Sequence, residues 1–414
     1  MRIGVLLFYD KINRGTRDNS FDKLPYYGFR YILSELRQDC DIINITQIKD
    51  YDYVLCSLTS VMDIENMVHA FETFRPDKGK CKIIVGGFGC VNITAIYDYI
   101  DIAVFGRAEG QINDIIAGVE FDNVWRKDAD QALEGKYKIR QASELLPFET
   151  MIGCRNKCYF CHYSWTRKYI GTGNYDPVNA PFPEDDWRGL EVKNSGRYLT
   201  AWDGLSEHTR FKANKKISDN DIRAKIKSWY DFRREAAVNL KIYNIIGYPW
   251  ETRESVKSDM DNITEIFREC DQRRGGAGNR IFIMMMFTPF SPEPFTPMEL
   301  LRPNIDIIWR DYFEQMGRKV YGDKSTDIEC FILPQINSSF TLAKRVMINR
   351  CTLETRKHIQ NVLKNKKIDG MKSTEQIIQL QKYDKFPHHI FGEIERPPVW
   401  YLENYVKYKH VHAD

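Results

Sequence analysis

Cys154-Arg155-Asn156-Lys157-Cys158-Tyr159-Phe160-Cys161 sets three thiols in the spacing C-x3-C-x2-C. Three cysteines this close cannot all pair as disulfides. An apolar run ending at Met151-Ile152-Gly153 leads into them, so the trio reads as a loop after a strand. Thiolates at this spacing can converge on one face of a cubane iron–sulfur cluster, a cofactor held by cysteine thiolates. Three ligands on a 4Fe-4S cluster leave one iron open to a substrate. The competing reading is a structural zinc site, which normally takes four ligands. His162 is the only nearby fourth candidate, and it abuts Cys161, a poor geometry for shared coordination. From that side comes a different class of function, a zinc-stabilised nucleic-acid-binding module without catalysis.

The chain has 414 residues, enough for two or three domains, and 43% hydrophobic residues, enough for a large core. A net charge of +3 neither favours nor excludes a polyanionic partner. The apolar N-terminus Met1–Phe8 is too short for a signal peptide. No apolar run reaches the roughly 18 residues of a membrane span. The ten cysteines then fit a reducing, cytoplasmic location without membrane attachment. Outside the trio, Cys40, Cys56, Cys81, Cys90, Cys270, Cys330 and Cys351 are scattered and read as small buried hydrophobes.

Residues 1–125 alternate short apolar strands, at 2–8, 41–45, 53–57, 83–85 and 102–105, with helical patterns at 27–36 and 64–74. That rhythm predicts a doubly wound parallel sheet. Gly86-Gly87-Phe88-Gly89 follows a strand. Glycines there permit either a tight turn or the close approach of a ligand, and both readings stay open.

Further along, three segments share one pattern, a strand running into a polar or proline-bearing turn. The first is Arg197–Ala201 continuing through Trp202-Asp203-Gly204-Leu205-Ser206-Glu207 to Arg210, with Lys215 soon after. The second is residues 240–252, ending Gly247-Tyr248-Pro249-Trp250-Glu251-Thr252, where Thr252 can cap a helix with Glu254 in its first turn. The third is residues 280–287 with the exit Thr288-Pro289-Phe290-Ser291-Pro292-Glu293-Pro294.

Taken in order with the cysteine run, these segments resemble the radical S-adenosylmethionine (SAM) superfamily. Pro25-Tyr26-Tyr27-Gly28-Phe29, Gly86-Gly87 and Phe105-Gly106-Arg107-Ala108-Glu109-Gly110 resemble the cobalamin-binding-type domain that precedes many such cores. The expected fold is α/β. A doubly wound parallel sheet spans 1–125, a partial (β/α)6 radical SAM barrel spans 145–300, and a mainly helical C-terminal extension spans 301–414.

The resemblance implies that Cys154, Cys158 and Cys161 hold a 4Fe-4S cluster and that Phe160 packs by the SAM adenine. It places Ser206, Glu207 and Arg210 near the SAM methionine and ribose, where Arg210 suits a carboxylate. Ile245, Ile246 and Gly247 become adenine contacts, largely through backbone groups. Two departures stand out. The Gly-Gly-Glu-Pro motif for the SAM amino group is missing, with Glu191 the nearest substitute, beside a long polar loop at 166–186. The D-x-H-x-x-G cobalamin motif is also missing, since the first histidine is His69. Cobalamin is therefore not expected, though binding without a histidine stays open.

The implied activity is reductive cleavage of SAM to a 5′-deoxyadenosyl radical that abstracts hydrogen from an organic substrate. An electron donor such as a flavodoxin or ferredoxin is the implied partner. A cobalamin-dependent radical SAM methyltransferase is the alternative within enzymes. A methylthiotransferase would need a second cysteine-ligated cluster, and the first domain lacks that pattern. The substrate leans toward a nucleobase or nucleoside, because residues 340–373 are rich in Lys and Arg. The solvated face of a helix is the simpler explanation of that run, and a small metabolite or a peptide stands beside the nucleobase as substrate.

Overall fold

The computed structural model describes residues 1–8, 27–127, 137–147, 149, 151–154, 156–171, 197–232, 238–272, 281–304, 328–334 and 338–364. The chain divides into two compact units. One holds Met1–Thr150, Thr166–Lys168 and the described residues after Leu342. The other holds Met151–Trp165 and Tyr169–Leu342.

The first unit is built on β1 (Ile3–Val5), β2 (Cys40–Ile42), β3 (Tyr53–Ser57), β4 (Lys82–Gly86), β5 (Ile102–Val104) and β6 (Val124–Arg126), in the order β2-β1-β3-β4-β5-β6. All pairs are parallel except β5 with β6. The order reverses at β1, which makes the sheet doubly wound. Such a sheet is covered on both faces, so its strands are continuously apolar. Leu55 and Ile84, paired in register, join Ile3, Val5 and Ile102 in one core. The alternate residues Val54, Cys56, Ile83 and Val85 are equally buried on the opposite face.

Helices α1 (Tyr27–Ser34), α2 (Val61–Phe74) and α3 (Ile112–Ile116) connect the strands. The start of α2 is fixed by a capping box. Ser60 Oγ accepts from Met62 N at 3.1 Å, and Asp63 Oδ2 accepts from Ser60 N at 3.1 Å. The expected strands and helices are present. The short antiparallel edge strand β6 is an addition.

The second unit opens with β7 (Met151–Ile152), α4 (His162–Thr166) and β8 (Ile170–Gly171), with β7 and β8 antiparallel. Four parallel strands follow, β9 (Arg197–Ala201), β10 (Val238–Ile246), β11 (Ile281–Pro289) and β12 (Ile328–Pro334), each beside its predecessor. They alternate with α5 (Glu207–Lys212), α6 (Asp219–Phe232) and α7 (Arg253–Gln272). Thr252 caps α7 as expected, its Oγ1 accepting from Ser255 N at 3.1 Å. Of the six strands of the expected partial barrel, the described residues join three, β9 to β11, in this sheet. β12 is an extra parallel strand from the region assigned to the C-terminal extension.

Helices α8 (Ser338–Asn349) and α9 (Arg356–Lys364) close the described chain. From Ala343 onward they group with the first unit. Lys344 pairs with Glu65, both buried, and Arg356 and Lys357 pair with Asp98. Burial pushes the Asp98 carboxyl up, but hydrogen bonds from Lys357, Gln360 and Arg356 outweigh it and hold the group below its ordinary value. Lys344 is thus engaged inside the fold, Arg356 partly so, while Lys357 pairs at the surface. Members of the basic run beyond Lys364 lie outside the described residues. Among the described residues no helix is long and apolar enough to cross a membrane.

Candidate active site at the cysteine loop

The loop after β7 is held by its own backbone. Gly153 takes a positive φ of 70°, and its N–H donates to the Tyr163 hydroxyl at 3.1 Å. Cys158 O accepts from the Trp165 indole at 2.9 Å, and Cys161 O accepts from Ser164 Oγ at 2.9 Å. Lys157 Nζ donates to Ser164 O at 2.7 Å and sits over the Trp165 ring. Cys158 is buried, while Cys154 and Cys161 are partly exposed, and all three are free thiols.

Burial pushes the Cys158 thiol up to about 12 and raises Cys161 as well. Metal binding therefore has to displace protons from these thiols. Among the described residues no three Cys, His, Asp or Glu side chains gather as one ion would need. A cubane makes a different demand, since each thiolate binds its own iron. The soft donor set on one clamped loop fits that demand. His162, the fourth zinc candidate, has Nδ1 3.6 Å from Glu293 Oε2.

The three strand-exit segments meet around this loop. Tyr159 N donates to Ala213 O at 3.0 Å, and Met298 N donates to Tyr159 O at 3.2 Å. Tyr159, Tyr248, Phe290, Met298 and Leu301 form one buried apolar cluster, against which Phe160 and Ile245 both pack. Two expected adenine contacts are thus brought together. Tyr248 stacks on Trp250 with ring centroids 4.9 Å apart, and its hydroxyl donates to Asp203 O at 2.8 Å.

The turn after β10 is built by a residue to which no role was assigned from sequence. Gly247 takes a positive φ of 81°. Glu251 Oε2 accepts from Gly247 N at 2.7 Å and from Tyr248 N at 3.0 Å. Asn304 closes the other side, with N donating to Gly247 O at 2.8 Å and Nδ2 to Glu251 O at 2.7 Å. Burial pushes Glu251 up to about 8, against those two backbone donors, which favour the carboxylate. Ile246 O meanwhile accepts from Phe290 N at 2.7 Å. The Ile246 carbonyl and both Gly247 backbone groups are thus engaged within the protein. Each of these carbonyls keeps a second lone pair, and the turn also offers a ligand the Ile245 side chain and its own shape.

The segment after β9 also differs from expectation. Ser206 is the N-cap of α5, accepting from Thr209 N at 3.2 Å. Glu207 Oε2 accepts from Asp219 N at 2.7 Å. Arg210 is 0% exposed. Its Nε donates to Ile217 O at 2.8 Å, its Nη1 to Leu205 O at 2.7 Å and Gly204 O at 3.2 Å, and its Nη2 to Asp219. A guanidinium so engaged cannot take a ligand carboxylate without releasing the turn it holds. Arg210 is a clamp on residues 204–219, and Ser206 and Glu207 already serve the helix starts. Glu191 lies outside the described residues.

Burial alternates along β10: Ile242, Asn244 and Ile246 are buried, Tyr243 and Ile245 half-buried. Trp202, which continues the buried face from β9, stacks on Phe267 of α7. The helices therefore cover the Ile242 face. The other face carries Ala201, Tyr243, Ile245 and Thr288, which are neighbours in register. Tyr243 and Thr288 escaped notice in the sequence, although their alternation with buried residues was a readable signal.

No protein-family model matches the chain, and no curated protein matches it in sequence. Distant likeness to solved structures is found. The radical SAM methyltransferase TsrM from Kitasatospora setae, with cobalamin and a [4Fe-4S] cluster bound, aligns over 70% of this chain and 71% of its own at 9% identity and a TM-score of 0.25. The same enzyme with tryptophan and aza-SAM bound aligns over 76% and 71% at 11% identity and 0.27. The cobalamin-dependent SAM radical enzyme OxsB, with aqua-cobalamin and SAM bound, aligns over 99% of this chain and 61% of its own at 11% identity and 0.28. At these scores the likeness carries no argument about chemistry.

Proposed function

We propose that the chain is a radical SAM enzyme whose 4Fe-4S cluster is held by Cys154, Cys158 and Cys161. The cysteine loop carries the reading: a C-x3-C-x2-C run clamped between the exits of β9 and β11, with Phe160 and Ile245 in one apolar cluster beside it. The bound cluster would supply one electron for cleaving SAM to methionine and a 5′-deoxyadenosyl radical, which takes a hydrogen atom from substrate. The chain's own residues do the rest. Phe160 and Ile245 offer an apolar seat for the adenine, while Glu251 and Asn304 fix the turn that shapes it. Tyr159, Tyr248, Phe290 and Met298 keep water from the base of the loop. The electron comes from a donor of the flavodoxin or ferredoxin class.

Two readings of the product stand: hydrogen abstraction from a nucleobase or nucleoside, and cobalamin-dependent methyl transfer. The doubly wound sheet of the first unit favours keeping the second, because that is the architecture expected of a cobalamin-type domain. No histidine stands directly after β1 in the sequence, the first being His69, so on this reading cobalamin would bind without a histidine ligand.

The test is anaerobic reconstitution with iron and sulfide, followed by turnover with SAM, with and without cobalamin. Bound iron and 5′-deoxyadenosine are expected, and each Cys→Ala variant at 154, 158 or 161 should lose most of its iron and all SAM cleavage. Zinc in place of iron, or a triple Ala variant that still assembles a full cluster, would overturn the assignment. A mass gain of one methyl group in the product, seen only with cobalamin, would select methyl transfer.

A further inference from the structure

Beside the cysteine loop lies a buried ion pair that neither strand pairing nor helix capping requires. Lys215 Nζ and Asp203 Oδ2 are 2.8 Å apart, with side chains only 9% and 15% exposed. The residues just before Lys215 dock on the loop itself. Ala213 O accepts from Tyr159 N at 3.0 Å, and Asn214 Nδ2 donates to Asn156 O at 3.1 Å and Lys157 O at 2.9 Å. Asp203 is fixed from the other side, its N–H donating to Tyr243 O at 3.3 Å and its carbonyl accepting from Tyr248 Oη at 2.8 Å. Asp203 and Asn214 both adopt left-handed backbone, with φ of 58° and 56°. Asp and Asn are the non-glycine residues that take up this conformation most readily, so both turns carry residues suited to them. A buried ion pair is weak support for a fold, because apolar residues of similar volume often serve as well. Stability alone therefore gives little reason for this pair at this place.

We propose that Lys215, oriented by Asp203, sets the reduction potential of the iron–sulfur cluster held by Cys154, Cys158 and Cys161. This rests on the functional reading above. One-electron reduction by a donor of the flavodoxin or ferredoxin class adds one negative charge to the cluster and its three thiolates. A cation held nearby in a partly dry site favours that reduced state, and an anion opposes it.

The experiment is a potential measurement on the full chain, reconstituted anaerobically and free of SAM. Dithionite with mediators supplies the electron, the reduced-cluster spin signal is the readout, and iron content is measured in parallel. Lys215→Met should lower the reduced-to-oxidised ratio at a fixed potential on the order of tenfold, which is about 59 mV for one electron. Asp203→Asn should shift it the opposite way, and asparagine tolerates the left-handed backbone at 203. Lys215→Arg keeps the charge and should stay near the wild type. A merely loosened loop would move both charge-removing variants in the same direction. Unmoved potentials, or shifts of the same sign, at wild-type iron content would overturn the proposal and leave the cluster assignment standing. A wild-type chain that takes up no cluster overturns both. If Lys215→Met fails to hold iron, Asp203→Asn decides alone, and a potential that does not rise overturns the proposal.

Discussion

The two parallel sheets of this protein wind differently, and the difference separates packing from chemistry. In the first unit the strand order reverses at β1. Right-handed crossovers then send helices to both faces. Residues of both faces are buried alike, as at Val54 and Leu55. Its rim is filled by its own backbone: a Cβ on Gly87 would meet Leu58 O at 2.5 Å, and one on Gly89 would meet Ser60 O at 2.5 Å. The glycines after β4 thus permit a close crossing by the chain at 58–60. In the second unit each strand from β9 to β12 lies beside its predecessor. Crossovers of one hand then stack helices on one face only. The other face keeps half-buried Ala201, Tyr243, Ile245 and Thr288. The rim there is tied by side chains, Arg210 and Glu251 above all, around a loop of three thiols.

The sharpest way to break this comparison is at Arg210. If the guanidinium is a clamp, Arg210→Ala strands Asp219 and three backbone carbonyls. Removing one partner of a buried pair costs about 3–5 kcal/mol. Hydrogen exchange should rise across 203–219 and stay unchanged in β3 and β4. Arg210→Lys should not rescue, since one ammonium cannot reproduce the planar fork. Wild-type protection together with weakened SAM binding would instead return Arg210 to the ligand role expected from sequence.

Arg210 also marks the limit of what was legible. The strand-helix rhythm of 27–105 is written in apolar periodicity, so β3, β4 and α2 could be placed closely. β6, Val124-Trp125-Arg126, has only two apolar residues between polar neighbours and was not read as a strand. The Ile328–Pro334 strand carried an apolar run but lay in a region taken as helical. Whether Arg210 binds a ligand or a turn depends on the carbonyls of Gly204, Leu205 and Ile217, and carbonyls leave no mark on side-chain identity. The docking of α8 on the first unit rests on Lys344 meeting Glu65, a contact 279 residues apart in sequence. Local pattern cannot encode such a pairing.

Glu251 offers a second test of the claim that side chains hold the second rim. Its folded pKa, about 8, lies above the ordinary 4.5. For an acid raised in this way, the folded state holds its proton over a range where the unfolded state has released it. The stability is complete below 4.5 and declines as pH rises toward 8. Each pH step is worth about 1.36 kcal/mol, so of a full decline of about 5 kcal/mol roughly 3–4 kcal/mol should fall between pH 5 and pH 8. Glu251→Gln still accepts from Gly247 and Tyr248 but has no proton to lose. It should unfold at the same denaturant concentration at pH 5 and pH 8, while the wild type weakens. Parallel losses in both proteins would show that Glu251 titrates as an exposed carboxyl does.

The smallest expected effect probes the two faces of β10 with the same change. Ile242 is buried on the helix-covered face, and Ile245 is half-buried on the other. Ile→Val removes one methylene at each. At Ile242 the loss falls on folding, about 0.5–1.5 kcal/mol, and SAM affinity should not move. At Ile245 stability should stay within about 0.5 kcal/mol. If SAM adenine covers that side chain, the missing methylene should cost about 0.8 kcal/mol of binding, roughly a fourfold weaker dissociation constant by anaerobic equilibrium binding. The direction of each effect matters more than its size. A SAM affinity lowered by Ile242→Val and untouched by Ile245→Val would mean that the ligand face of the second sheet has been assigned the wrong way round. Phe160, which packs against the same cluster as Ile245, would then lose its place beside the adenine as well.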